Sequence, residues 1–205
     1  MPHGFTWLDL LQLGVVTAVL TQLLMFASEH LRGWVADRRE ARTLALLISA
    51  SLEKFALECA NAIASNDLIR SSGGHAGRRV TKIPDFPDLM PSPAWKVLDP
   101  TLATRASNLS FERMLGEGQI DFWWEVTGEP DDITGAADNE CGGCGYLAWT
   151  TADDLRAHYK IPLIDLAGLL WNFVEELRKH HDYAVKLVAE RASEAISGGE
   201  PTKVS

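Results

Sequence analysis

The sequence predicts an all-α protein: one N-terminal transmembrane helix, then a small helical soluble domain with a long Pro/Gly-rich loop. Three observations carry this. Leu10–Ala27 is a run of eighteen residues without a formal charge. Behind it, apolar residues recur every three or four positions, the spacing of one helix face. No segment alternates apolar and polar residues as a half-buried strand does.

The span is placed at residues 8–28. Ten of the eighteen uncharged residues are Leu, Val or Phe, which together favour insertion by about 3–6 kcal/mol. Gln12, Gln22, Thr17, Thr21 and Gly14 offset part of this. Trp7 and Trp34 stand 27 residues apart, about 40 Å of helix at 1.5 Å per residue, which matches a bilayer with its headgroups. Two other readings compete. A signal peptide needs a basic leading region and a small-x-small cleavage site, and neither is present. A buried core helix fits because the run is only moderately apolar. Arg32, Arg38, Arg39 and Arg42 follow the span and no Lys or Arg precedes it, so the positive-inside rule places the C-terminal domain in the cytoplasm. Gly14, Ala18, Thr21, Met25 and Ser28, with Thr17 beside them, form a small or polar face. Such a face lets two helices pair in lipid, against the alternative of a lone helix.

The domains are therefore residues 1–30, a short tail and the membrane helix; 31–196, the cytoplasmic helical domain; and 197–205, a disordered tail. Residues 35–66 form one long helix on the stripe Leu44, Ile48, Leu52, Phe55, Cys59 and Ile63, broken at Ser71-Ser72-Gly73-Gly74. The loop 70–98 holds Pro84, Pro87, Pro91 and Pro93, interleaved with Ile83, Phe86, Leu89, Met90 and Trp95. It either lies extended across the helices or is a linker. Asp99-Pro100 is a helix start, cap then proline, for a short helix to Leu109. A second helix covers Phe111 to Val126. An acidic, Cys-containing loop is expected at 128–145. Thr151-Ala152-Asp153-Asp154 resembles a capping box for a helix through Tyr159. Asp165 caps the last helix, 166–195, whose stripe is Leu166, Leu170, Phe173, Leu177, Ala184 and Val188.

The net charge of −9 disfavours a nucleic-acid partner, which demands clustered Lys and Arg. Three cysteines are too few, and odd in number, for a disulfide scaffold. Cys141-Gly142-Gly143-Cys144-Gly145 has the shape of a zinc knuckle. Four ligands are needed, so Cys141 and Cys144 would have to recruit Cys59, His75 or His158. A redox pair and two plain loop cysteines are the alternatives. No cofactor is expected otherwise. Cys59 lies on an apolar stripe and reads as core. His75 sits between glycines that would let backbone approach a ligand. His180 pairs with Glu176 along one helix face. Between Glu112 and Asp154 there are eleven acidic residues and a single basic one, Arg113, either a solvated face or a surface for a basic partner. Trp123-Trp124 beside them reads as core.

No phosphate-binding loop, G-x-S-x-G or H-E-x-x-H occurs. The expected function is a single-pass membrane protein whose cytoplasmic helical domain binds protein partners. The alternatives are a metal- or redox-responsive domain built on the two cysteines, and an enzyme whose site assembles only in space. The expected partners are the lipid bilayer, an unidentified protein and a second copy paired through the membrane helix.

Overall fold

The structure is a computed structural model describing residues 7–89, 93–164 and 171–197. Side chains are described from residue 21 onward, apart from a few near both ends. It is all-helical, with no strand among the described residues. The helices are α1 (Trp7–Ser71), α2 (Pro100–Val126), α3 (Pro130–His158) and α4 (Phe173–Ser197), with a 3₁₀ turn at Pro93–Val97.

Helix α1 has 65 residues, about 97 Å of length, and only its second half belongs to the bundle. From Arg32 to Glu40 every residue is exposed, and burial begins at Ala41. The arm carries apolar residues into solvent, among them Phe26, Leu31 and Trp34. A core-helix reading of the N-terminal segment therefore does not hold for its described end. Among the described residues no helix is long and apolar enough to cross a membrane, so the span at 8–28 rests on the sequence alone. Gly14, Thr17 and Ala18, which carry the expected pairing face, lie outside the residues whose side chains are described.

Helix α3 is the centre of the bundle and runs antiparallel to its three neighbours. Along α1, Asn66 meets Asp138 and Glu53 meets Arg156. Along α2, Arg105 meets Asp154, and Gly116 faces Glu140. Along α4, Gly142 faces His180 and Trp149 stacks edge-on against Phe173. The expected α1 stripe is the core: Ile48, Leu52, Phe55, Cys59 and Ile63 are buried.

The expected loop at 128–145 is the first half of α3. Its glycines read locally as turn residues, but Gly142 and Gly145 are sites of close helix approach. A Cβ at Gly142 would lie 2.2 Å from the Cβ of His180, and one at Gly145 would lie 2.9 Å from that of Cys59. Glycine costs a helix about 1 kcal/mol relative to alanine, and packing along this seam offsets the cost. Asp131 and Asp132 in the first turn favour the helix dipole. The helix consequently does not start at Thr151, whose hydroxyl donates back to the Leu147 carbonyl at 2.7 Å inside it.

Elsewhere the boundaries shift less. The short helix to Leu109 and the helix 111–126 are one, α2. Asp99 caps it as expected, accepting from the amides of Thr101 at 3.0 Å and Leu102 at 3.1 Å. The last helix starts at Phe173, not 166, while Asp165, Leu166 and Leu170 lie outside the described residues. Of the expected loop 70–98, the described stretch to Leu89 lies across the helices: Ile83 is buried, and Phe86 stacks edge-on against Phe55 at 5.0 Å, while Met90 and Pro91 lie outside the described residues. Asn66 clamps this loop. Its amide donates to the Val80 carbonyl at 2.9 Å, and its carbonyl accepts from the Val80 amide at 2.8 Å.

Candidate functional site

The cysteines singled out in the sequence come together, but in the core. Cys141 and Cys144 stand on the inner side of α3, and Cys59 on α1 shares a hydrogen bond with Cys141. All three are buried free thiols. Burial drives the Cys59 thiol well above its ordinary pKa, and hydrogen bonding to Cys141 adds to this. Burial, reinforced by the charge of Glu140, pushes Cys144 up to about 12. Zinc ligands and reactive cysteines need the thiolate, and this environment favours the thiol. His75 and His158 are exposed and do not join the cluster. Among the described residues no group of three or more His, Cys, Asp and Glu is arranged to hold a metal. In the fold the Cys-Gly-Gly-Cys-Gly stretch lies where α1 and α4 approach α3 closely, at Gly145 and Gly142.

The buried polar groups flank this seam. Asp138 Oδ1 accepts from Asn66 at 2.7 Å. Its Oδ2 sits 2.7 Å from Arg70 Nη1, an ion pair without hydrogen-bond alignment. Burial raises the Asp138 carboxyl, and Asn66 and Arg70 work against the rise. Towards the other end, Arg156 donates from Nε and Nη2 to the two carboxylate oxygens of Glu53 and from Nη1 to the Pro162 carbonyl at 2.7 Å. Both networks staple helix to helix. Every side chain in both networks has a charged or hydrogen-bonded partner; among their buried atoms only Asp138 Oδ2 lacks a hydrogen bond, and it lies in the ion pair with Arg70.

Two surfaces remain unaccounted for by packing. The first is the outer side of α2. Its inner side buries Leu102, Ala106, Leu109, Gly116 and Ile120. At 100° per residue, Phe111, Met114, Leu115, Phe122 and Val126 fall on the opposite side, and each is at least half exposed. A helix apolar on two sides is normally covered on both. Gly118 lies within this stripe with nothing near it. Glu112, Asp121 and Glu125 border the stripe, all exposed and none in an ion pair. The expectation that Trp123-Trp124 builds core holds for Trp123, half-buried against it, but not for Trp124, which is exposed beside the stripe.

The second surface is a cleft of about 1280 Å³ between the α1 arm, the 3₁₀ turn and the end of α3. Arg38, Arg39, Arg42, Lys96 and Lys160 line it, with Asp37 and Asp99 as its carboxylates. Arg42 donates to the Lys160 carbonyl at 3.0 Å, Arg38 lies over the Trp34 ring at 5.3 Å, and the Asp99 amide donates to the Tyr159 hydroxyl at 2.6 Å. The end of α3 is a Schellman turn. The Ile161 amide reaches the Arg156 carbonyl at 2.8 Å, and the Lys160 amide reaches that of Ala157 at 3.3 Å. The left-handed position of such a turn normally holds glycine. Here it holds Lys160, at φ 54°, at a cost of about 1–2 kcal/mol.

The sequence marked three of the cleft's arginines as a membrane-facing group but not Lys96 or Lys160. Lys160 had a signal, since it directly precedes Ile161-Pro162 where a helix must stop. Comparison with protein-family models, curated proteins and solved structures returns no match, so the reading of these surfaces rests on the chain's own geometry.

Proposed function

We propose that this chain is a single-pass membrane protein whose cytoplasmic helical domain binds a protein partner on the outer side of α2. The observation that carries the reading is the exposed apolar stripe Phe111, Met114, Leu115, Phe122 and Val126, with the acidic border of Glu112, Asp121 and Glu125. A stripe of this kind accepts an amphipathic helix, and the border selects one flanked by Lys or Arg. A two-fold pairing of this side with itself would oppose the acids of one copy to those of the other, which favours a different protein.

The anchor is supported by the uncharged run Leu10–Ala27 and by an α1 arm that leaves the bundle with apolar residues exposed. The arginines after the run favour a cytoplasmic domain. The Gly14 and Ala18 face favours pairing of two membrane helices. Against the metal and redox alternatives stand the burial of all three thiols and the raised pKa of Cys59 and Cys144, although the fold does bring Cys59 to Cys141.

The test uses a synthetic helix with a leucine stripe flanked by lysines, titrated onto the full chain in uncharged detergent. Saturable binding is expected, weakened at least tenfold by Leu115→Glu or Phe122→Glu. A glutamate-flanked version of the helix should not bind. Equal binding by the variants and the wild type would refute the site. A sedimenting dimer that dissociates on Leu115→Glu would replace the foreign partner with a second copy.

A further inference from the structure

We propose that the cleft beside the α1 arm is a binding site for a phosphate-bearing ligand, either the headgroup of an anionic lipid or a soluble organic phosphate. The argument begins with charge. The whole chain carries −9, yet five permanent cations converge on this one cavity against two carboxylates. One of those carboxylates, Asp99, is already committed to the α2 amides.

Pairing sharpens the contrast. Arg70, Arg79, Arg105, Arg113, Arg156 and Arg178 each hold a carboxylate. None of Arg38, Arg39, Arg42, Lys96 and Lys160 does; Arg32, Arg78 and Lys82 are likewise without a carboxylate but stand apart, whereas these five share one cavity. In an acidic protein, a cluster of cations left unneutralised is a place for an anion from outside. Three guanidiniums suit phosphate because their planar N–H pairs match its oxygens, and two ammonium groups add compact charge.

The site is also held in shape. Arg42 is fixed by the Lys160 carbonyl, and Arg38 rests over Trp34. Lys160 is kept in a left-handed conformation where glycine would be strain-free. Strain of this kind is retained where the side chain serves a purpose beyond stability. Arg38 lies eleven residues beyond Ala27, about 16 Å along the helix, so if residues 8–28 span a bilayer the cleft stands just outside its headgroup layer of roughly 5–7 Å. The proposal does not need the anchor, since a soluble phosphate meets the same cations.

The test uses the full chain in uncharged detergent, with inorganic pyrophosphate and short-chain phosphatidate as separate probes, titrated calorimetrically at two salt concentrations. Saturable binding that weakens with salt is expected. Saturation by both probes identifies a soluble phosphate as sufficient. Saturation by phosphatidate alone identifies a lipid headgroup. Lys160→Gly is the informative variant. It removes a cation while relieving the backbone, so affinity should fall about fivefold while the thermal midpoint rises by roughly 2–4 °C. A merely structural role for Lys160 would not move the two readouts in these directions. Arg38→Gln should lower affinity to a similar degree, and Lys186→Gln on the remote α4 should leave it unchanged. Saturation by neither probe would overturn the proposal, as would an equal loss of affinity in Lys186→Gln.

Discussion

Gly142 and Gly143 are neighbours on one helix, yet alanine should act on them with opposite sign. In an isolated helix either change would stabilise by about 1 kcal/mol, because glycine has more backbone freedom to lose. At Gly143 nothing lies within 4 Å of the new Cβ, so that gain should appear nearly in full. At Gly142 the new Cβ would stand 2.2 Å from the His180 Cβ, with the His180 backbone at 3.2 Å. Neither is the free end of a flexible side chain. Helix α4 must therefore move, and overpacking of this kind costs about 1–3 kcal/mol or more. Subtracting the helix gain leaves Gly142→Ala neutral to about 2 kcal/mol less stable. The two variants should then differ by about 1–3 kcal/mol, which is roughly 2–12 °C in thermal midpoint for a domain of this size. Urea and thermal unfolding of the full chain, followed by circular dichroism, would measure it. If Gly142→Ala is stabilised as much as Gly143→Ala, α4 does not pack on α3 as described. If both are destabilised by similar amounts, the segment is a glycine turn and not a helix.

Other expectations follow from the same geometry. Cys59, Cys141 and Cys144 should resist iodoacetamide at pH 8 in the folded chain and all react in 6 M guanidinium, read by mass spectrometry; labelling of Cys144 in the native state would contradict its burial. Because the folded Cys144 pKa lies near 12 and its unfolded value near 9, the folded state holds the extra proton between them. Stability should therefore fall by up to about 1.4 kcal/mol per pH unit as pH rises from about 9 towards 12, with Cys59 acting in the same direction; a shallower fall in Cys144→Ala than in wild type would assign the Cys144 share, and equal slopes would contradict it. Glu53→Ala should cost about 3–5 kcal/mol by stranding Arg156, while the double change Glu53→Leu with Arg156→Met should recover most of it; a double variant no better than the single would count against the pairing. Deleting residues 1–30 should release the protein from membranes into the soluble fraction, and full-length protein that is soluble without detergent would remove the anchor.

Much of the framework was legible from sequence because it depends on near neighbours. Asp99-Pro100 starts α2 by cap and ring chemistry that involves only the next three residues. The stripe from Leu44 to Ile63 marks the buried side of α1 because helical period alone aligns it. The prolines interleaved with Ile83 and Phe86 indicated an extended segment lying over the helices. The stretch 128–145 was not legible. Its glycines have two meanings, turn and close approach, and the sequence presents both alike. His180 is 38 residues from Gly142 and Cys59 is 86 from Gly145, so only the packed bundle decides between the meanings.

The candidate surfaces divide in the same way. The sequence by itself determined that acids crowd the stretch from Glu112 to Asp154 and that arginines follow the N-terminal run. It did not determine which side of α2 would be covered, because either could have faced α3. Nor did it bring Lys96 and Lys160 to Arg38 and Arg42, positions separated by up to 122 residues. Those outcomes belong to tertiary structure: α1 and α4 approach α3 closely at Gly145 and Gly142, and α2 approaches it through its own Gly116 against Glu140. Once those contacts set the register of α1, α2 and α4 against α3, the uncovered stripe and the basic cleft are what remain exposed.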